Sequence, residues 1–179
     1  MSQIVSDFIN SFENATEDQM GDLLDCWWPP PRFTRYVKHQ MMPQIATDLG
    51  LGIALEFQRV DIVLPFAGET LIGAFDFRQV SIAVEHENSQ TNAHEEIRKL
   101  RRINVPLGVL ITYATEKKRP IKLEELASHI MEVDRSTSSA LHGQLLVIFG
   151  NYGKEPPAKL EWDYHLWQHY RFAKVKLAE

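Results

Sequence analysis

Three acidic residues stand where strand-like segments should bring them together. The stretch Ser81-Ile82-Ala83-Val84-Glu85-His86-Glu87-Asn88 sets Ala83, Glu85 and Glu87 on one face of a strand and Ile82, Val84 and His86 on the other. Two carboxylates then leave the strand end side by side. At about 6 Å and an effective dielectric of about 20 they repel by roughly 3 kcal/mol, which a cation, a proton or solvent must relieve. Asp61 adds a third carboxylate inside the apolar run Val60-Asp61-Ile62-Val63-Leu64. Acids on neighbouring strands form an oxygen-donor set of the kind Mg²⁺ or Mn²⁺ accepts. The plainer alternative is a solvated strand end whose acids pair with Arg59 or Arg78.

The elements that must position these acids follow from apolar spacing. Ile4, Val5, Phe8, Ile9 and Phe12 recur at helical intervals, and a second amphipathic stretch ends at Cys26-Trp27-Trp28, before Pro29-Pro30-Pro31. A third helix is predicted from near Arg32 to Gly50, kinked or restarted at Pro43. From Gly52 the period becomes two. Residues 53–57, 60–64 and a β-rich run over 70–87, punctuated by Gly68 and Gly73, predict an antiparallel meander of three or four strands. A helix over 93–104, the apolar strand 107–113, a helix over 123–133 and the strand 145–149 follow. Strands apolar on both faces are those that helices cover, and the alternation implies right-handed parallel crossovers. The tail alternates through Leu160, Trp162, Tyr164 and Leu166, slips near Trp167 and resumes at Tyr170 and Phe172, which reads as an added strand or hairpin.

On the helix after the acids, Ala93, Ile97 and Leu100 define the buried face. At 100° per residue Glu96 lies within about 40° of its centre and Lys99 about 100° away, so Glu96 is expected to look toward the acids and Lys99 to reach them only from the flank. An ion pair or a snorkelling carboxylate is the plainer account of Glu96. Gln90 is a further neighbour of the motif. Arg98, Arg101 and Arg102, with Lys99 beside them, are candidates to meet phosphates; the alternative is a solvated helix face.

This order of elements, with Asp61 in Arg59-Val60-Asp61-Ile62-Val63 and a strand ending Val84-Glu85-His86-Glu87, resembles the PD-(D/E)XK nuclease superfamily, which includes type II restriction endonucleases and four-way-junction resolvases. The resemblance covers about residues 33–115. It implies an α/β fold with a restriction-endonuclease-like mixed sheet and a Mg²⁺- or Mn²⁺-dependent endonuclease acting on DNA. Asp61 matches the motif aspartate and Glu85 the (D/E), both metal ligands, with His86 offering its backbone carbonyl. Val60 stands where the motif has proline, and Glu87 where it has lysine, which changes the local charge by two units. A lysine would orient the attacking water and stabilise developing phosphorane charge, whereas Glu87 can act only as a metal ligand or general base. Some restriction endonucleases of the superfamily use such an E-X-E form. The alternative is a catalytically degenerate, nuclease-like protein acting as an interaction or nucleic-acid-binding module.

The chain has 179 residues, 44% of them hydrophobic and 24% charged, which fits one soluble domain that needs no covalent staple. We read residues 1–31 as an N-terminal helical extension, 32–115 as the motif-bearing core and 116–179 as a C-terminal helix and strands. Cys26 is the single cysteine, so neither an intramolecular disulfide nor a zinc module is expected, and a thiol among acids is a poor nucleophile. No basic leader or long apolar run is visible, so a cytoplasmic protein without membrane association is expected. The net charge of -5 argues against a generic polyanion coat, but residues 1–26 alone carry -6, while residues 97–122 hold eight bases against Glu116. A phosphate-binding face is therefore compatible with the acidic average. His165 and His169 have the spacing of a metal pair on a helix but lie in a strand pattern, and Trp27, Trp28, Trp162 and Trp167 read most simply as core or interface aromatics. Many members of the superfamily cut as dimers, and the aromatic tail offers an edge for a homodimer.

Overall fold

The computed structural model describes residues 1–69, 77–89, 92–103, 105–136, 143–151 and 153–176. Their backbone forms an α/β fold around one seven-stranded mixed sheet in which spatial order follows chain order. The strands are β1 (Ala54–Phe57), β2 (Val60–Pro65), β3 (Val80–Glu87), β4 (Leu107–Tyr113), β5 (Gln144–Gly150), β6 (Asp163–Gln168) and β7 (Arg171–Lys174). The first three pair as an antiparallel meander, β3, β4 and β5 run parallel, and β6 and β7 return antiparallel. The part of the meander expected at 70–76, including Gly73, lies outside the described residues, as do Gln90 and Asn104.

Period-two alternation sorts the strand side chains into two layers. Ile62, Leu64, Ile82, Val84, Val109 and Ile111 face the N-terminal helices, whereas Val63, Ala83, Leu110 and Val147 face the two crossover helices. Those crossovers are α5 (Ala93–Arg102), which links β3 to β4, and α6 (Arg119–Ser136), which links β4 to β5 and is longer at both ends than its apolar period suggested. β4 is buried along its whole length, as a strand covered on both faces must be.

The N-terminal helices are α1 (Gln3–Asp18), α2 (Met20–Asp25), α3 (Pro30–Tyr36) and α4 (Met42–Asp48). Val5, Phe8, Ile9, Phe12 and Ala15 put one stripe of α1 into the core. The segment read as an extension is therefore an integral part of one core layer. Pro30 opens α3, where a missing N–H costs nothing, so the proline run ends one helix and starts the next. Pro43 does not break the chain's helical course. A π-helical turn over Val37–Met41 absorbs the lost hydrogen bond, and α4 continues from Met42. The aromatic tail is a hairpin whose turn residues His169 and Tyr170 adopt φ of 48° and 63°, and it clasps α1 through Tyr164 Oη donating to Glu13 (2.6 Å) and Trp162 Nε1 donating to Thr16 Oγ1 (3.1 Å).

Candidate active site

Asp61 and Glu85 meet where two strands part. The β2–β3 ladder runs from Pro65 opposite Val80 to Ile62 opposite Val84. At the next rung side chains replace backbone pairing. The His86 N–H donates to Asp61 Oδ2 at 3.0 Å, and the Asp61 N–H donates to Glu85 Oε2 at 3.4 Å. Buried N–H groups need acceptors wherever a ladder ends, and the two carboxylates supply them.

Each acid also meets one lysine. Lys38 leaves the π-helical turn beside buried Val37 and Met41 and donates to Asp61 Oδ1 and Glu56 Oε1, both at 2.8 Å. Lys99 crosses from the flank of α5 to Glu85 Oε1 at 2.7 Å, ion-pairs with Glu96 and donates to the Arg59 carbonyl at 2.8 Å. This is the approach from the flank that the helical wheel implied for Lys99, whose long flexible stem carries the ammonium to the acids. Glu96 does turn toward the cluster, as its angle implied.

The Arg59 carbonyl is aimed by an unusual turn. Gln58 and Arg59 form the two-residue hairpin between β1 and β2, with φ of 53° and 68°, and Glu56 just before them has φ of 54°. Left-handed backbone at three non-glycine residues costs about 1–2 kcal/mol each, strain concentrated at the groups that hold Lys38 and Lys99.

Glu85 is 1% exposed, and burial pushes its carboxyl up to about 8; Lys99 counters that, while the charges of Asp61 and Glu96 add to it. Burial also works against Lys38 and Lys99, but their carboxylate partners outweigh it and hold both above the usual lysine range. His86 belongs to the other face. Its ring packs against Phe33, its Nε2 lies 2.6 Å from Tyr113 Oη, and burial lowers its pKa to about 4, so the imidazole is neutral. The ring therefore stands away from Asp61 and Glu85.

Glu87 does not join the pair; its carboxylate accepts the Ser89 N–H, satisfying the first turn of chain beyond the strand. Among the described residues no three His, Cys, Asp or Glu side chains gather as a metal site. The acids that do meet, Asp61 and Glu85, offer two carboxylates, both hard oxygen donors. That set fits Mg²⁺ or Mn²⁺, which bind through one or two carboxylates with water and phosphate completing the shell.

The basic residues of α5 are mostly spent inside the protein. Arg98 pairs with Glu132, and Arg101 forks onto Asp134 at 2.6 and 3.0 Å and onto the Gly143 carbonyl at 3.2 Å, which staples α5 to α6. Of the four proposed phosphate contacts, Arg102 alone stands exposed. Arg119 is bound to Asp163 at 2.9 Å, and Arg78 has an interaction of its own. His165 lies buried beside Asp163 while His169 sits in the hairpin turn, so they form no pair. Trp27 and Trp162 are committed to the core side of the N-terminal helices, and Trp28 is 48% exposed with the Lys154 ammonium 5.9 Å from its ring centroid.

Lys38, Glu56 and Tyr113 were not signalled by residue type or spacing. No helix among the described residues is long and apolar enough to cross a membrane. Comparison with protein-family models and with curated proteins finds no match to this chain.

Proposed function

We propose that the Asp61–Glu85 pair is the metal-binding centre of a divalent-metal-dependent phosphodiesterase acting on DNA, with a restriction-endonuclease-like arrangement of β1, β2, β3, α5 and β4. The observation that carries this reading is the Lys99 ammonium 2.7 Å from Glu85. It restores, from the following helix, the positive charge that Glu87 removes from the motif's last position. The strand order supports it too, since an antiparallel meander followed by a parallel strand across a helix is what the resemblance implies.

Asp61 and Glu85 would hold the cation through carboxylate oxygens, with the His86 carbonyl as the further donor that the resemblance implies. Bound Mg²⁺ or Mn²⁺ supplies the charge that acidifies water and stabilises a pentavalent phosphorus. From its seat on Glu96 and the Arg59 carbonyl, the Lys99 ammonium would orient the attacking water and neutralise negative charge on the phosphoryl oxygens. Glu87, tied to Ser89, lies outside this inner set and is a minor contributor.

Supercoiled, single-stranded and branched DNA incubated with purified protein and Mg²⁺ or Mn²⁺ tests the reading. Asp61→Asn and Glu85→Gln are expected to abolish cleavage, and Lys99→Met to slow it by about 10²–10⁴-fold. Absence of cleavage on all three substrates, or an Asp61→Asn variant as active as the parent, defeats it.

One observation favours a second reading. Both acids already have internal counter-charges and accept N–H groups at the strand divergence, so they are complete as structural residues. On that reading the protein is a non-catalytic interaction or nucleic-acid-binding module, and substitution of Glu85 alters stability alone.

A further inference from the structure

The two lysines share one design. Each ammonium bridges an inner acid of the proposed centre and an outer acid beyond it: Lys38 joins Asp61 to Glu56, and Lys99 joins Glu85 to Glu96. Within each lysine's pair the outer acid is the more exposed: Glu56 is 68% exposed in its side chain against 22% for Asp61, and Glu96 19% against 1% for Glu85. A buried carboxylate pair without a cation carries uncompensated like charge. A lysine with only one acid would lose its whole ion pair on giving that acid up. A second acid within reach of the same ammonium removes that obstacle, because the lysine can shift its weight outward without becoming unpaired.

Resting on the metal-binding reading above, we propose that Lys38 and Lys99 are displaceable internal counter-cations that occupy Asp61 and Glu85 in the metal-free protein and withdraw onto Glu56 and Glu96 when a divalent cation binds. Glu56 and Glu96 are then positioning residues: they touch no metal and act only through their lysines. The backbone strain at Glu56 and Arg59 has a role here, since these residues supply the outer acid of one lysine and the carbonyl contact of the other.

Calorimetric titration with Mn²⁺ alone tests this in a double-mutant cycle on the full chain. Glu96→Gln removes the outer seat, so Lys99 clings to Glu85, and Mn²⁺ affinity is expected to fall about tenfold, the scale of an ordinary coupling between sites. In a Lys99→Met background the same substitution is expected to change affinity by less than about twofold, because the group it acts through is gone. A general electrostatic effect of Glu96 would persist in that background, and such persistence overturns the inference. Should Lys99→Met fail to fold, the ¹³Cε and ¹⁵Nζ resonances of Lys38 and Lys99 in the parent protein give an independent readout. Both are expected to shift on saturation with Mg²⁺, and unchanged resonances despite saturation overturn the displacement while leaving metal binding intact. If the parent takes up no divalent cation at Asp61 and Glu85, the metal-binding reading itself falls, and this inference with it.

Discussion

Two buried groups on adjacent residues pull stability in opposite directions with pH. The folded His86 value of about 4 lies below the ordinary 6.5, so its contribution is fully present above about 6.5 and is lost as the pH falls through about 4. Glu85 is raised from 4.5 to about 8, so its contribution is fully present below about 4.5 and is lost as the pH rises through about 8. Between about 4.5 and 6.5 the two slopes offset each other. Above about pH 6.5 only the Glu85 slope remains, and urea denaturation is expected to show stability falling as the pH rises toward 8, a fall that Glu85→Gln reduces. A parent protein whose stability is level across that interval contradicts the assignment. On the other face of β3, Tyr113→Phe leaves His86 Nε2 without its 2.6 Å partner in a buried site where Nδ1 also lacks a hydrogen bond among the described residues. The expected loss is about 1–3 kcal/mol, measured by the same denaturation. At this scale the sequence marked Asp61 and Glu85, which the structure brings together, because an aspartate within Val60–Leu64 and a glutamate at the end of an apolar strand violate the surrounding pattern; it marked Glu87 equally, which the structure ties to Ser89 instead. Of their partners it showed Lys99 only as a flank approach and Lys38 not at all. Lys38 and Lys99 reach the acids through flexible stems from helix flanks, and residue spacing locates a Cα rather than an ammonium.

Elements dock closely at two strand glycines, and at Gly150, which faces two aromatic rings rather than a flexible leucine end, glycine becomes a requirement. A Cβ on Gly108 would lie 2.8 Å from Leu145 Cδ2, and one on Gly150 would lie 2.6 Å from both Trp162 Cζ3 and Tyr113 Cε1. Gly150→Ala therefore presses on the ring that holds His86 and is expected to cost about 1–3 kcal/mol. A Cβ on Gly21, near the start of α2, would meet nothing within 4 Å, and Gly21→Ala is expected to be neutral or stabilising by up to about 1 kcal/mol. Comparison of the two melting temperatures checks the contrast, and equal shifts would contradict it. Alternation made the strands legible, and β4 and its neighbours stand where apolar runs placed them. The π-helical turn was not legible, since a proline after an apolar helix predicts a kink or a restart equally well, and the choice depends on Val37 and Met41 both finding the core. The ion pairs that two of the α5 arginines make were not legible for a related reason. Arg98 and Arg101 look solvent-facing on an isolated wheel, but α6 covers that flank and supplies Glu132 and Asp134.

Across the whole molecule, the first and last segments of the chain complete one layer of the core. Phe12 is fully buried and meets Trp162 edge-on at 5.0 Å, so Phe12→Ala is expected to cost about 3–5 kcal/mol, read by thermal unfolding. The charge split between the acidic first 26 residues and the rest is real in the sequence, but it does not mark a detachable piece; neutralising exposed acids of α1 and α2 tests its influence, whereas deleting them would strip the sheet of its cover. The central claim is that Asp61 and Glu85 hold a divalent cation, and the most direct measurement is an anomalous difference map from crystals soaked in Mn²⁺. The expected result is one peak within about 2.0–2.6 Å of oxygens from both carboxylates, with the Lys99 ammonium on Glu96; a map with no peak there, and both lysines still seated on Asp61 and Glu85, would contradict it.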